Sequence, residues 1–71
     1  MKARDLLAVL TREPLSYEIV RQRGSHRRLK AANRPPITFD FHDRATVGPA
    51  AVRKVLCKDV GLDADEALKL L

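Results

Sequence analysis

The sequence predicts an α+β fold of order α-β-β-β-α(-α), a three-stranded antiparallel sheet with helices packed on one face and the other face open. Two observations set the elements. Apolar residues recur at helical spacing over residues 2–12 and again after Gly48-Pro49. Between those segments lie three β-prone stretches, separated first by Gly24-Ser25 and then by Asn33, Pro35 and Pro36. A third sets the size: 71 residues with only Tyr17, Phe39 and Phe41 as aromatics leave room for one aliphatic core. A single domain over residues 1–71 is therefore expected.

In residues 2–12, Ala3, Leu6, Leu7 and Leu10 line one face, with Lys2, Arg4 and Asp5 outside it. Pro14 stops the helix, because the residue before a proline is pushed out of helical geometry. Tyr17 to Gln22 reads as a strand whose buried face is ambiguous, since Tyr17 and Ile19 share one parity and Val20 has the other. Gly24-Ser25 suits the two central positions of a type II′ hairpin turn. In a second strand from His26 to about Lys30, alternation sets His26, Arg28 and Lys30 on one face and Leu29 on the other. Ala31 to Pro36 reads as a loop.

Ile37 to His42 is then expected as the third strand, with Ile37, Phe39 and Phe41 buried and Thr38, Asp40 and His42 on the open face. A helix opening at Pro49 carries Val52, Val55, Leu56 and Val60 as its stripe and ends at Gly61. Asp63 and Glu66 are spaced as a capping box for a last helix, with Ala64, Ala67, Leu68 and Leu71 facing inward.

Fourteen Lys and Arg against nine Asp and Glu give a formal net charge of +5 at pH 7, which suits phosphate-rich or acidic partners. The charge is concentrated. No carboxylate occurs between Ile19 and Phe39, where Arg21, Arg23, Arg27, Arg28, Lys30 and Arg34 all fall. Cys57, the single cysteine, has no partner for an internal disulfide and reads as a helix-packing residue in a reducing, cytoplasmic setting. No apolar run approaches the length of a membrane span, and no signal-peptide pattern opens the chain.

His26, directly after the Gly24-Ser25 turn, is the one imidazole set among these cations. If the second and third strands pair with His26 opposite His42, the same register sets Arg28 against Asp40 and Lys30 against Thr38. Two histidines then meet on a basic, solvent-facing surface. Cleavage of RNA needs a base for the 2′-hydroxyl, an acid for the departing 5′-oxygen, and cations on the phosphate. Free imidazole, with a pKa near ~6.5, suits both proton transfers at neutral pH. Arg23, Arg27 or Arg28 would grip the phosphate bidentately, with Arg21 and Lys30 adding charge. No metal-ligand motif is present, and no cofactor is expected. The blander readings are a surface turn for Gly-Ser-His, a solvated face for the arginines, and a structural hydrogen-bonder for His42.

The chain resembles the HicA-type (YcfA-like) toxins of bacterial and phage toxin–antitoxin systems over nearly its full length. The residues that carry the resemblance are Met-Lys-Ala-Arg-Asp-Leu-Leu at the start, Val-Arg-Gln-Arg-Gly-Ser-His, Ile-Thr-Phe-Asp-Phe-His, and Val-Arg-Lys-Val-Leu leading to Val-Gly-Leu. The resemblance implies a double-stranded-RNA-binding-like fold and a ribosome-independent mRNA interferase. It also implies His26 as the active-site histidine, positioned by Gly24 and Ser25, and a HicB-type antitoxin that covers the site. Departures from the usual pattern are Leu15-Ser16-Tyr17 before the first strand, Asp40 in place of a common proline, and Arg27-Arg28-Leu29 after the motif histidine.

The leading expectation is thus a metal-independent endoribonuclease toxin acting on mRNA or other single-stranded RNA. Two rivals share the fold. One is a non-catalytic RNA-binding module using Arg53, Lys54 and Lys58. The other is an interaction protein whose basic face meets an acidic protein.

Overall fold

The computed structural model describes residues 1–71. Helix α1 runs over Ala3–Thr11 and buries Ala3, Leu6, Val9 and Leu10, close to the stripe read from the sequence. No side chain caps its start. The first N–H groups of the helix, which have no intrahelical acceptor, are taken up by a distant loop: Ala3 donates to the Ala45 carbonyl (2.9 Å) and Arg4 to that of Asp43 (3.2 Å).

The sheet contains β1 (Glu18–Arg23), β2 (His26–Ala31) and β3 (Arg34–Phe39), antiparallel and in the order β1-β2-β3. Helix α2 starts at Pro49 and continues past Arg53 as π-helical turns over Lys54–Asp59; α3 is Ala64–Leu70. The observed order is α-β-β-β-α-α, as expected. Leu29 of β2 and Ile37 and Phe39 of β3 join Leu6, Leu10, Leu56 and their neighbours in one apolar cluster of 16 buried residues. Every residue of β1 is exposed, including Ile19 and Val20. The helical layer therefore covers β2 and β3 and leaves β1 bare.

Two of the sequence expectations for the sheet require correction. The stretch Ala31–Pro36 is not a loop: Ala32-Asn33 turns the chain, with Asn33 at φ +62°, and β3 begins at Arg34. A strand containing Pro35 and Pro36 is permitted because β3 is an edge and proline has no N–H to offer a ladder. An extra residue on β3 between the pairs Ala31↔Arg34 and Leu29↔Ile37 absorbs the prolines. Strand β3 correspondingly ends at Phe39, so Asp40 to His42 lie beyond it. The register also differs by two residues from the expected one. Arg28 pairs with Thr38, not Asp40; Lys30 does not face Thr38; and His26 does not pair with His42.

In the last helix, the capping box is present, with Glu66 N–H donating to Asp63 Oδ1 (2.8 Å) and Asp63 N–H to Glu66 Oε1 (3.2 Å). Its inward face is smaller than expected. Ala67 is buried, but Ala64 is exposed and Leu68 and Leu71 remain 70% and 58% exposed. A seven-residue helix on the outer side of α2 has only one row against the core, and the neighbouring row is left at the surface.

Two polar devices tie the layers together. Arg27, on the core-facing side of β2 and 9% exposed, donates from Nη2 to Asp43 Oδ1 at 2.8 Å. Tyr17, 2% exposed, donates its hydroxyl proton to the Pro35 carbonyl at 2.7 Å. Burial pushes the Tyr17 phenol above its ordinary value of 10.0; the nearby Arg34 acts against that rise and Asp59 adds to it.

Asp43→Ala is expected to cost about 2–3 kcal/mol in urea unfolding: it strands a buried guanidinium, and the figure is held below that of a fully buried pair because Asp43 is half exposed. For Tyr17, the folded state holds the phenolic proton more tightly than the unfolded state. Its contribution is therefore full below pH 10 and is lost as pH rises through the folded-state value. Tyr17→Phe should lose about 1 kcal/mol at neutral pH, and thermal melts at rising pH should show the gap to the unmodified protein narrowing above pH 10.

Candidate active site

Strand β2 lies between two edges, and its alternation sorts its side chains cleanly. His26, Arg28 and Lys30 are exposed on the open face, while Arg27 and Leu29 are buried beneath. What joins them from β1 depends on a bulge. The pairs Ile19↔Leu29 and Arg21↔Arg28 leave Val20 as an extra residue, so the parity of β1 inverts there. Ile19 takes the inner side with Leu29, whereas Arg21 and Arg23 take the open side with Arg28 and His26. The parity ambiguity of Tyr17, Ile19 and Val20 is resolved in this way.

The open face consequently carries Arg23 beside His26, Arg21 beside Arg28 and Glu18 beside Lys30. Directly opposed like charges destabilise a strand pair, and Arg21 and Arg28 form such a pair with no carboxylate between them. Arg28 finds a neutral partner, donating from Nη1 to Thr38 Oγ1 at 3.0 Å. The surface thus holds more positive charge than the fold itself uses.

The turn before His26 has Gly24 at φ +61°, while Ser25 stays at negative φ, and Arg23 pairs with His26 across it. Positive φ at the first central residue alone is the pattern of a type II′ turn. A Cβ built on Gly24 would meet nothing within 4 Å, so the backbone and not crowding selects glycine. His26 is exposed, and no hydrogen bond within the chain holds its ring.

Two of the predicted residues lie elsewhere. Arg27, grouped by its charge with the phosphate-binding candidates, points to the opposite side of the sheet from His26 and Arg28 and is paired with Asp43. His42 is exposed in the loop after β3 and not on the open sheet face. It lines a shallow cleft of about 430 Å³ at the sheet's rim with Gly24, Ser25, Arg27, Asp43 and Arg44. Arg44 is a member that sequence reasoning missed. The available signal was indirect: Arg27 has the buried parity of Leu29, a buried arginine requires a counter-charge, and Arg44 adjoins the carboxylate of Asp43 that supplies it.

Other features lie away from this end. Arg53, Lys54 and Lys58 are exposed on α2 and its π-helical continuation, where Lys54 pairs with Asp59 at 3.4 Å. An apolar groove of about 370 Å³ lies between the amino terminus, α2 and α3. Cys57 packs, partly buried, against the core. No three His, Cys, Asp or Glu side chains cluster so as to hold a metal ion, and no helix is long and apolar enough to cross a membrane.

These features define a class: a small α+β protein with one sheet face under helices and the other carrying an exposed histidine at the tip of an arginine-rich hairpin. The family described as HicA toxin of bacterial toxin-antitoxin matches residues 3–62, and the chain belongs to that family. It is accordingly a toxin of the toxin–antitoxin kind, and a cognate antitoxin is its partner. A comparison with curated proteins and one with solved structures find no match.

Gly24→Ala is expected to cost about 1–2 kcal/mol by thermal unfolding, the penalty for placing a Cβ at this backbone conformation, without loss of the hairpin.

Proposed function

We propose that the chain is a metal-independent endoribonuclease that cleaves mRNA or other single-stranded RNA in the cytoplasm, with His26 as general acid or base. The observation that carries this reading is the set His26, Arg23, Arg21 and Arg28: an unbonded, exposed imidazole flanked on one face by three guanidiniums with no neutralising carboxylate among them. A phosphodiester relieves that repulsion and presents its ribose hydroxyl to the ring.

In the proposed reaction the 2′-hydroxyl attacks the adjacent phosphorus and gives up its proton to a base. The P–O5′ bond breaks, and an acid protonates the departing oxygen, leaving a cyclic 2′,3′-phosphate and a free 5′-hydroxyl. His26 performs one of these transfers, and His42 at the rim is the candidate for the other. Arg21, Arg23, Arg28 and Lys30 hold the backbone and offset charge as it builds on the phosphate. Gly24 and Ser25 fix where His26 leaves the turn. A HicB-type antitoxin neutralises the toxin by covering this basic face.

His26→Ala is expected to abolish RNA cleavage and growth inhibition while preserving RNA affinity; unchanged cleavage would sink His26 as the catalytic group. Cleavage should persist in EDTA. Affinity should fall with salt by a slope of roughly −0.7 per phosphate contacted on single strands, and a flat response would instead favour a face built for protein.

A further inference from the structure

The rim cleft contains a feature that neither the fold nor the proposed chemistry on the open face uses. Arg27 Nη1 is a buried side-chain nitrogen without a hydrogen-bond partner, and no other buried side-chain nitrogen or oxygen in the chain is in that position. Its sister nitrogen Nη2 is held by Asp43. A buried donor without an acceptor costs roughly 1–3 kcal/mol, and native folds tolerate few of them. Asp43 supplies only partial compensation, since its own side chain is 54% exposed and shares its charge with solvent.

The cleft above this guanidinium has no hydrophobic lining residue. Two guanidiniums, Arg27 and Arg44, stand there against the single carboxylate of Asp43, with the His42 imidazole and the Gly24–Ser25 turn completing the wall. Arg44 and His42 are exposed. A half-neutralised charge in a low-dielectric floor acts more strongly on an anion than the same charge in water. The cleft also shares Gly24 and Ser25 with the hairpin that presents His26 on the other side.

We propose that this cleft is a second phosphate subsite, which grips the RNA backbone next to the phosphate held at His26. Arg27 is its fixed buried charge and Arg44 its exposed contact. The strand of RNA passes around the tip of the β1–β2 hairpin, with one phosphate on the open face and a neighbouring one at the rim. Asp43 orients Arg27, whose unpartnered Nη1 stays buried and whose charge acts on the cleft from its floor. The inference rests on the RNA-cleaving reading for the identity of the ligand, and its test is separable from that reading.

The probe is a single-stranded 2′-O-methyl RNA oligonucleotide, which lacks the nucleophile and reports binding alone. Its affinity is measured by fluorescence anisotropy across a salt series at one fixed pH. Arg44→Ala and Arg27→Met are each expected to weaken binding and to flatten the logarithmic salt slope by about 0.7, the loss of one phosphate contact. Lys69→Ala, an exposed charge lost from α3, should leave the slope unchanged. Wild-type slopes in both Arg44→Ala and Arg27→Met would overturn the subsite. Equal flattening in Lys69→Ala would also overturn it, by reducing the effect to overall charge. Should Arg27→Met fail to fold, Arg44→Ala decides the matter alone, because that side chain is at the surface. Cleavage of unmodified RNA is measured alongside: no cleavage by the wild-type protein, with flattened slopes in the arginine variants, would remove the nuclease assignment and leave the subsite standing.

Discussion

Strand β2 has to serve two environments at once, and this constraint organises the molecule. Helices cover one side of the sheet only, so every second residue of β2 is forced into the core and the others are forced into water. Leu29 satisfies the inner side without cost. Arg27 does so only because Asp43 reaches it. The outer positions then fall to His26, Arg28 and Lys30, the residues a polyanion would meet.

The partners of β2 are adjusted to it by single extra residues. On β1, the two-residue turn sets Arg23 and Arg21 on the same side as His26, and Val20, outside the ladder, turns Ile19 to the core side with Leu29. Without that bulge, Ile19 would share the open face with Arg21, Arg23 and His26 in place of Glu18. On β3 the corresponding irregularity accommodates Pro35 and Pro36, and the Tyr17 hydroxyl meets the Pro35 carbonyl there. Beyond β3 the chain from Asp43 to Ala45 has three duties: its carbonyls cap α1, its carboxylate holds Arg27, and Arg44 is carried to the rim. The start of the first helix and the side chains near the hairpin tip are thereby mechanically linked.

The helices were legible because their patterns are local. Ala3, Leu6 and Leu10, Pro49, and the Asp63–Glu66 box each declare themselves within a few residues. The hairpin at Gly24-Ser25 and the alternation of β2 were legible for the same reason. The third strand was displaced because Pro35 and Pro36 read as breakers, whereas an edge position makes them harmless. Leu68 and Leu71 were assigned inward by spacing alone, which cannot reveal that the groove they line with α2 and the amino terminus stays open.

By itself the amino-acid sequence determined the α-β-β-β-α-α order, the density of positive charge around position 26 and the tight turn that presents His26, since each follows from residue type and near-neighbour spacing. The tertiary structure alone decided which arginines stand with that histidine. Register and bulges arise from pairing between segments distant in the chain, and one extra residue at Val20 suffices to change a side chain's face. The same long-range pairing sent Arg27 inward to Asp43 and took His42 off the sheet, because a charge in the core settles where its counter-ion can reach it.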